Sequence, residues 1–148
     1  MSFEEFIIMQ QKKQEKSSVS AKEAIEKFTA LGEELYGKIA EEWLKDAIVK
    51  KQISVGRTNT TITEELLGTY SADALWIEIA GERLSVIPIG TYLIGTDARF
   101  DVIYRGRECM IVHDMENGGW IVIDRSKRIP RKRVDAAVFQ GLIMDMMK

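Results

Sequence analysis

The chain has 148 residues, 45% apolar and 30% charged, with a net charge of −2; this is the composition of one ordinary globular domain and excludes a disordered or collagen-like chain. Its single cysteine, Cys109, excludes an intramolecular disulfide, and no stretch approaches the roughly 20 apolar residues of a membrane helix. Charge is unevenly spread: residues 54–124 hold 5 basic and 11 acidic side chains, and residues 125–148 hold 7 basic and 2 acidic, an acidic middle followed by a basic connector.

Met1 to Ile8 carries Glu4 and Glu5 and no basic stretch, so it does not read as a signal peptide, and the expected location is cytoplasmic. Ser2 followed by Glu5 has capping-box spacing, which predicts a helix from the start, with Phe3, Phe6 and Ile7 on its apolar face. Gln10 to Lys16 is wholly polar, and Ser17-Ser18-Val19 reads as a break. Ser20 and Glu23 repeat the box and open a second helix, whose apolar residues recur at spacings of three and four from Ala24 to Ile48. If continuous from Ala21 to Lys51 it would be about 46 Å long at 1.5 Å per residue. A compact domain of this size has a diameter of only about 38 Å. The helix must therefore bend, at Gly32 or Gly37, or project and find a partner. The reading favoured here is projection, with a homodimer formed through Phe28, Leu31, Leu35, Ile39 and Trp43.

Ser54 to Asp73 is polar, and the cap spacing of Thr61 and Glu64 predicts one short helix ending near Gly68. From Ala74 the apolar period becomes two. Leu75 to Ile79 and Arg83 to Ile89 flank a turn expected at Gly81-Glu82, and Tyr92 to Ile94 is expected to continue the second strand. A further hairpin is expected between Arg99 and Asp114. With Gly106-Arg107 as its loop, Arg105 would face Glu108 and Arg99 would face Asp114, while Phe100, Val102 and Tyr104 share a face with Cys109, Ile111 and His113. Asn117-Gly118 marks another hairpin into Trp120 to Asp124. Asp135 can cap a final helix. The fold class is therefore α+β: N-terminal helices, one of them long, a central antiparallel meander of four to six strands, and a C-terminal helix packed on the sheet. All 148 residues are read as one domain, with a helical arm over 1–53, the sheet over 74–124 and the last helix over 134–147.

Candidate chemistry is sparse. Cys109 and His113 lie four residues apart on one expected strand, about 13 Å at 3.3 Å per residue, too far for a thiolate–imidazole pair. One histidine and one cysteine do not make the usual structural zinc set, and no phosphate-binding loop is present. No metal site or cofactor is expected, and no catalytic residue is assigned. The strongest charged feature is Arg125, Lys127, Arg128, Arg131, Lys132 and Arg133 within nine residues. Such a run can pair with acidic protein surfaces or neutralise phosphates. The leading expectation is a non-enzymatic binding or accessory protein with a protein partner and no membrane, of which a bacterial inhibitor or immunity-type protein is one form. The alternative is a nucleic-acid-binding protein using segment 125–133. A third is a metal-dependent hydrolase using Asp101 and Glu108.

Overall fold

Helix α1 runs unbroken from Phe3 to Lys38 in the computed structural model, which describes residues 1–91, 97–124 and 129–148, with the backbone course alone for 14–20 and 129–130. Its start follows the sequence: Glu5 N donates to Ser2 Oγ at 3.2 Å, and Ser2 N donates to Glu5 Oε2 at 3.3 Å. The break expected at Ser17-Ser18-Val19 does not occur. Serines cost an established helix only a few tenths of a kcal/mol each, about 0.5 at most, and neither glycine nor proline stands there, so the second capping box is bypassed.

The far end also departs from expectation, because the helix is not continuous to Lys51. After Lys38 the chain widens into a π-helical turn, Ile39–Trp43, closed by Leu44 N donating to Ile39 O at 2.9 Å. The bend falls at Leu44 (φ −117°, ψ 9°), and a short helix α2, Lys45–Val49, follows. Gly32 and Gly37 do not kink α1. Gly32 faces the sheet, where a Cβ would meet the Phe100 ring at 3.5 Å, an ordinary van der Waals contact.

Seven antiparallel strands form one meander in chain order: β1 Ile53–Glu64, β2 Gly68–Ile79, β3 Glu82–Gly90, β4 Arg99–Tyr104, β5 Arg107–His113, β6 Trp120–Asp124 and β7 Ile129–Arg133. The count is one above the expected four to six, the continuation expected at Tyr92 to Ile94 lies outside the described residues, and the largest difference is β1. The helix expected at Thr61 is strand, because the β-branched run Thr58, Thr60, Thr61, Ile62 and Thr63 prefers the pleated state to a capped turn. Helix α3, Ala136–Met146, closes the chain, and Val138 N donates to its cap, Asp135 Oδ1, at 2.8 Å.

Two hairpins turn one residue earlier than expected. Ala80-Gly81 joins β2 to β3 and Arg105-Gly106 joins β4 to β5, with φ of 50° and 80°, then 45° and 78°. Both central residues are left-handed, so these are type I′ turns with glycine second. The β4–β5 register pairs Tyr104 with Arg107 and Arg99 with Val112. A two-residue slip keeps every side chain on its expected face but dissolves the expected charge pairs. Arg105 instead meets Glu82 at 2.7 Å, Arg99 meets Asp101, and Asp114 meets Arg133 at 2.9 Å.

The core lies between one sheet face and the helices. Phe28, Leu35 and Ile39 pack with Leu84, Val86, Phe100, Val102 and Ile111, and with Phe139 from α3. Phe100 is its centre: it stacks on Phe28 (5.3 Å between centroids) and takes Tyr36 and Trp120 edge-on. The residues expected to join two copies are spent here. Phe28, Leu31, Leu35, Ile39 and Trp43 are each 9% exposed or less, so they have no surface to offer a partner.

Candidate functional site

Three places combine charge with geometry, and a fourth combines accessibility with apolar surface. The first joins α1 to the sheet. His113 Nδ1 lies 2.7 Å from Asp97 Oδ1, and Lys27 Nζ lies 2.9 Å from Asp97 Oδ2. Burial alone would raise the Asp97 carboxyl, but the hydrogen bonds from Lys27 and His113 outweigh it and hold the carboxyl below its usual range. The His113 ring sits against Trp120 at 5.1 Å between centroids. A carboxylate orienting an imidazole is half of a nucleophilic constellation. Cys109 supplies no nucleophile to it: it is buried and its Sγ approaches the Ile123 carbonyl at 3.5 Å.

The second is a depression of about 770 Å³ on β4, β5 and the end of α3. It contains Asp101 and Glu108, the carboxylates considered for a metal. Asp101 is buried but held by Arg99 through two parallel hydrogen bonds, Nε to Oδ1 at 2.9 Å and Nη2 to Oδ2 at 3.0 Å. Arg107 donates to the carbonyls of Asp145 and Met146, closing the end of α3. Among the described residues no group of three His, Cys, Asp or Glu side chains is placed to hold a metal ion.

The third is the basic run. Arg125, Lys127 and Arg128 lie outside the described residues. Arg131, Lys132 and Arg133 stand exposed on β7, a strand at the sheet's edge. Arg133 is engaged locally, with Asp114 and with the Gly118 carbonyl. Charged side chains on an edge strand discourage pairing with a neighbouring sheet, which accounts for this placement within the fold.

The fourth is the N-terminal part of α1. Every described side chain from Met1 to Lys13 is exposed, although α1 carries Phe3, Phe6, Ile7, Ile8 and Met9 there, 78%, 47%, 40%, 46% and 43% exposed. At 100° per residue, Phe3, Phe6 and Ile7 all fall within about 60° of the direction of Phe28. The direction of the core stripe thus recurs on the first turns of the helix, on the far side of the polar stretch Gln10 to Lys16. Helix α1 is about 54 Å long, and among its described side chains the apolar packing on the core begins at Ile25.

A groove of about 640 Å³ opens at the other end of the helical layer, between α2 and α3. Trp43, Ala47, Ile53, Ile79, Met144 and Met147 give it an apolar lining, with Glu42, Asp46 and Lys50 also lining it. Met144 is 64% exposed beside it.

No family model, curated protein or solved structure matches this chain. Among the described residues no helix is long and apolar enough to cross a membrane.

The sequence placed His113 on the β5 face and gave no sign of its pairing with Asp97. They stand sixteen residues apart across a turn, and local spacing carries no signal for such a pair. Sequence reasoning also recognised the apolar face of Phe3, Phe6 and Ile7 but assigned self-association to the residues that form the core.

Proposed function

We propose that this chain is a binding or accessory protein acting through protein contacts, with the projecting part of α1 as its contact surface. One observation carries the reading: an exposed aromatic and aliphatic patch, Phe3, Phe6 and Ile7, stands on the first turns of α1, separated by the polar stretch Gln10 to Lys16 from the residues that the chain's own core covers. An isolated helix shorter than about 12–15 residues is marginal in water, yet here the arm extends from a helix whose other half is anchored in the core. A rigid support with large apolar anchors at its tip is the anatomy of a hot spot. Burying each of Phe3, Phe6 and Ile7 contributes about 1.5–3 kcal/mol, enough together to support a specific contact. An inhibitor or immunity-type protein is one class that uses such a surface.

The test compares the whole chain with its Phe3→Ser/Phe6→Ser/Ile7→Ser variant by sedimentation in native lysate. The wild type should migrate above its own 16.9 kDa and the variant at that mass, with thermal melting unchanged. Identical sedimentation of the two proteins would refute a contact role for the arm.

A further inference from the structure

The two edges of the sheet differ. β7 carries Pro130, Arg131, Lys132 and Arg133 and meets β6 through a shifted register; proline, charge and irregular register each discourage pairing at an edge. β1 has none of these over Thr58 to Thr63, a run without charge or proline that pairs with β2 in unbroken register. We infer that this edge pairs with the β1 edge of a second copy, antiparallel about a two-fold axis, in a weak and reversible dimer. The surface is separate from the arm.

Turn chemistry says which main-chain groups are on offer. Ala80-Gly81 is a two-residue type I′ turn, so Ile79 and Glu82 form the hydrogen-bonded pair that closes it. Ile79, Ile77 and Leu75 therefore turn their N–H and C=O groups to β3, and Glu78, Trp76 and Ala74 turn theirs to β1. Their partners there are Ser54, Gly56 and Thr58. Carried along the same register, Arg57, Asn59, Thr61 and Thr63 point their main-chain groups away from β2. Among the described residues nothing else bonds to those groups. The same four residues and Thr58 are exposed, so no described element overhangs the edge.

Alternating main-chain donors and acceptors are met by an extended strand. That strand must have a free edge of its own, and β1 of a second copy supplies one with the same spacing. A two-fold axis normal to the sheet sets two such strands antiparallel. Only the odd-numbered residues offer bonds, so they must face one another across the seam. With the axis at Thr60, Arg57 faces Thr63 and Asn59 faces Thr61, each twice, and Thr60 faces its own copy. No like charges are opposed in this register. A seam one strand wide is smaller than a standard interface. The dimer constant therefore lies in the micromolar range or above it, and the chain is monomeric at the trace concentrations of a lysate.

The experiment is sedimentation velocity on the intact chain over a concentration series reaching the high micromolar range. The wild type should dimerise. Thr61→Pro should weaken the dimer about tenfold or more, because it removes one main-chain donor on each side of the seam. Its melting temperature should hold, since proline is tolerated where an edge N–H faces solvent. Asn59→Lys/Thr61→Lys, which opposes lysines across the seam, should weaken the dimer as much. Thr60→Cys should form an intermolecular disulfide with oxidised glutathione, whereas Ser71→Cys, exposed on β2, should not. The Phe3→Ser/Phe6→Ser/Ile7→Ser variant should dimerise as the wild type does. A wild type that stays monomeric throughout overturns the second-copy assignment and leaves the arm to the lysate comparison. A dimer indifferent to both edge variants, or lost with the arm variant, overturns the β1 seam. Equal cross-linking at positions 60 and 71 overturns the axis at Thr60.

Discussion

Asp97 ties three elements together: α1 through Lys27, β5 through His113, and the segment that leads into β4. Because its carboxyl is held below the usual range, the stability it contributes is complete above the ordinary carboxylate value of about 3.9 and is lost as pH falls through the depressed folded value. Asp97→Asn should therefore cost about 1.5–3 kcal/mol near neutrality, the worth of hydrogen bonds to a charged group. It should also flatten the acid limb: urea unfolding repeated between about pH 5 and 2 should show the wild type losing stability more steeply than the variant. Parallel curves for the two proteins would show that this carboxylate is not a coupling point. Gly56 is a second residue with a defined task, since a Cβ there would fall 2.0 Å from Trp76 Cζ2. The indole lies over the glycine of its cross-strand partner, with Arg83 over the ring at 4.3 Å.

The two type I′ turns govern what the sequence could tell at the level of elements. Alternation placed Phe100, Val102 and Tyr104 on one face with Cys109 and Ile111, and the structure agrees, because a two-residue slip preserves faces. The exact register was not legible. Glycine can serve as first residue of a II′ turn or second of an I′ turn, and only the left-handed conformation of Ala80 and Arg105 decides between them. Gly106→Ala should cost about 1–2 kcal/mol, the penalty for a Cβ at φ +78°. Gly106→Asn should cost less, which chemical denaturation of both variants would measure. The strand at Thr58 to Thr63 was missed for a related reason: a cap-like Thr and Glu outweighed a β-branched run whose pairing partner, β2, lay beyond the local window.

At the scale of the whole molecule, helix–meander–helix was readable from periodicity alone, and so was the conflict between a long helix and a small core. The direction of projection was not. Length arguments treat both ends of a helix alike, whereas the sheet covers only the half that carries Phe28, Leu31, Leu35 and Ile39. The basic run drew attention because charge is visible in sequence, while its position on an edge strand depends on sheet order, which is not. The candidate contact surface was legible in composition but not in role. Its residues look like any amphipathic helix until the neighbouring sheet is seen to end before them.

A photoreactive amino acid at position 6, compared with one at the exposed Glu26 on the same helix, tests the contact role most directly. On irradiation in native lysate, position 6 should give a discrete covalent adduct in high yield and position 26 little or none. Equal, diffuse labelling from both positions would mean that Phe6 faces only solvent, and the binding account would fall with it.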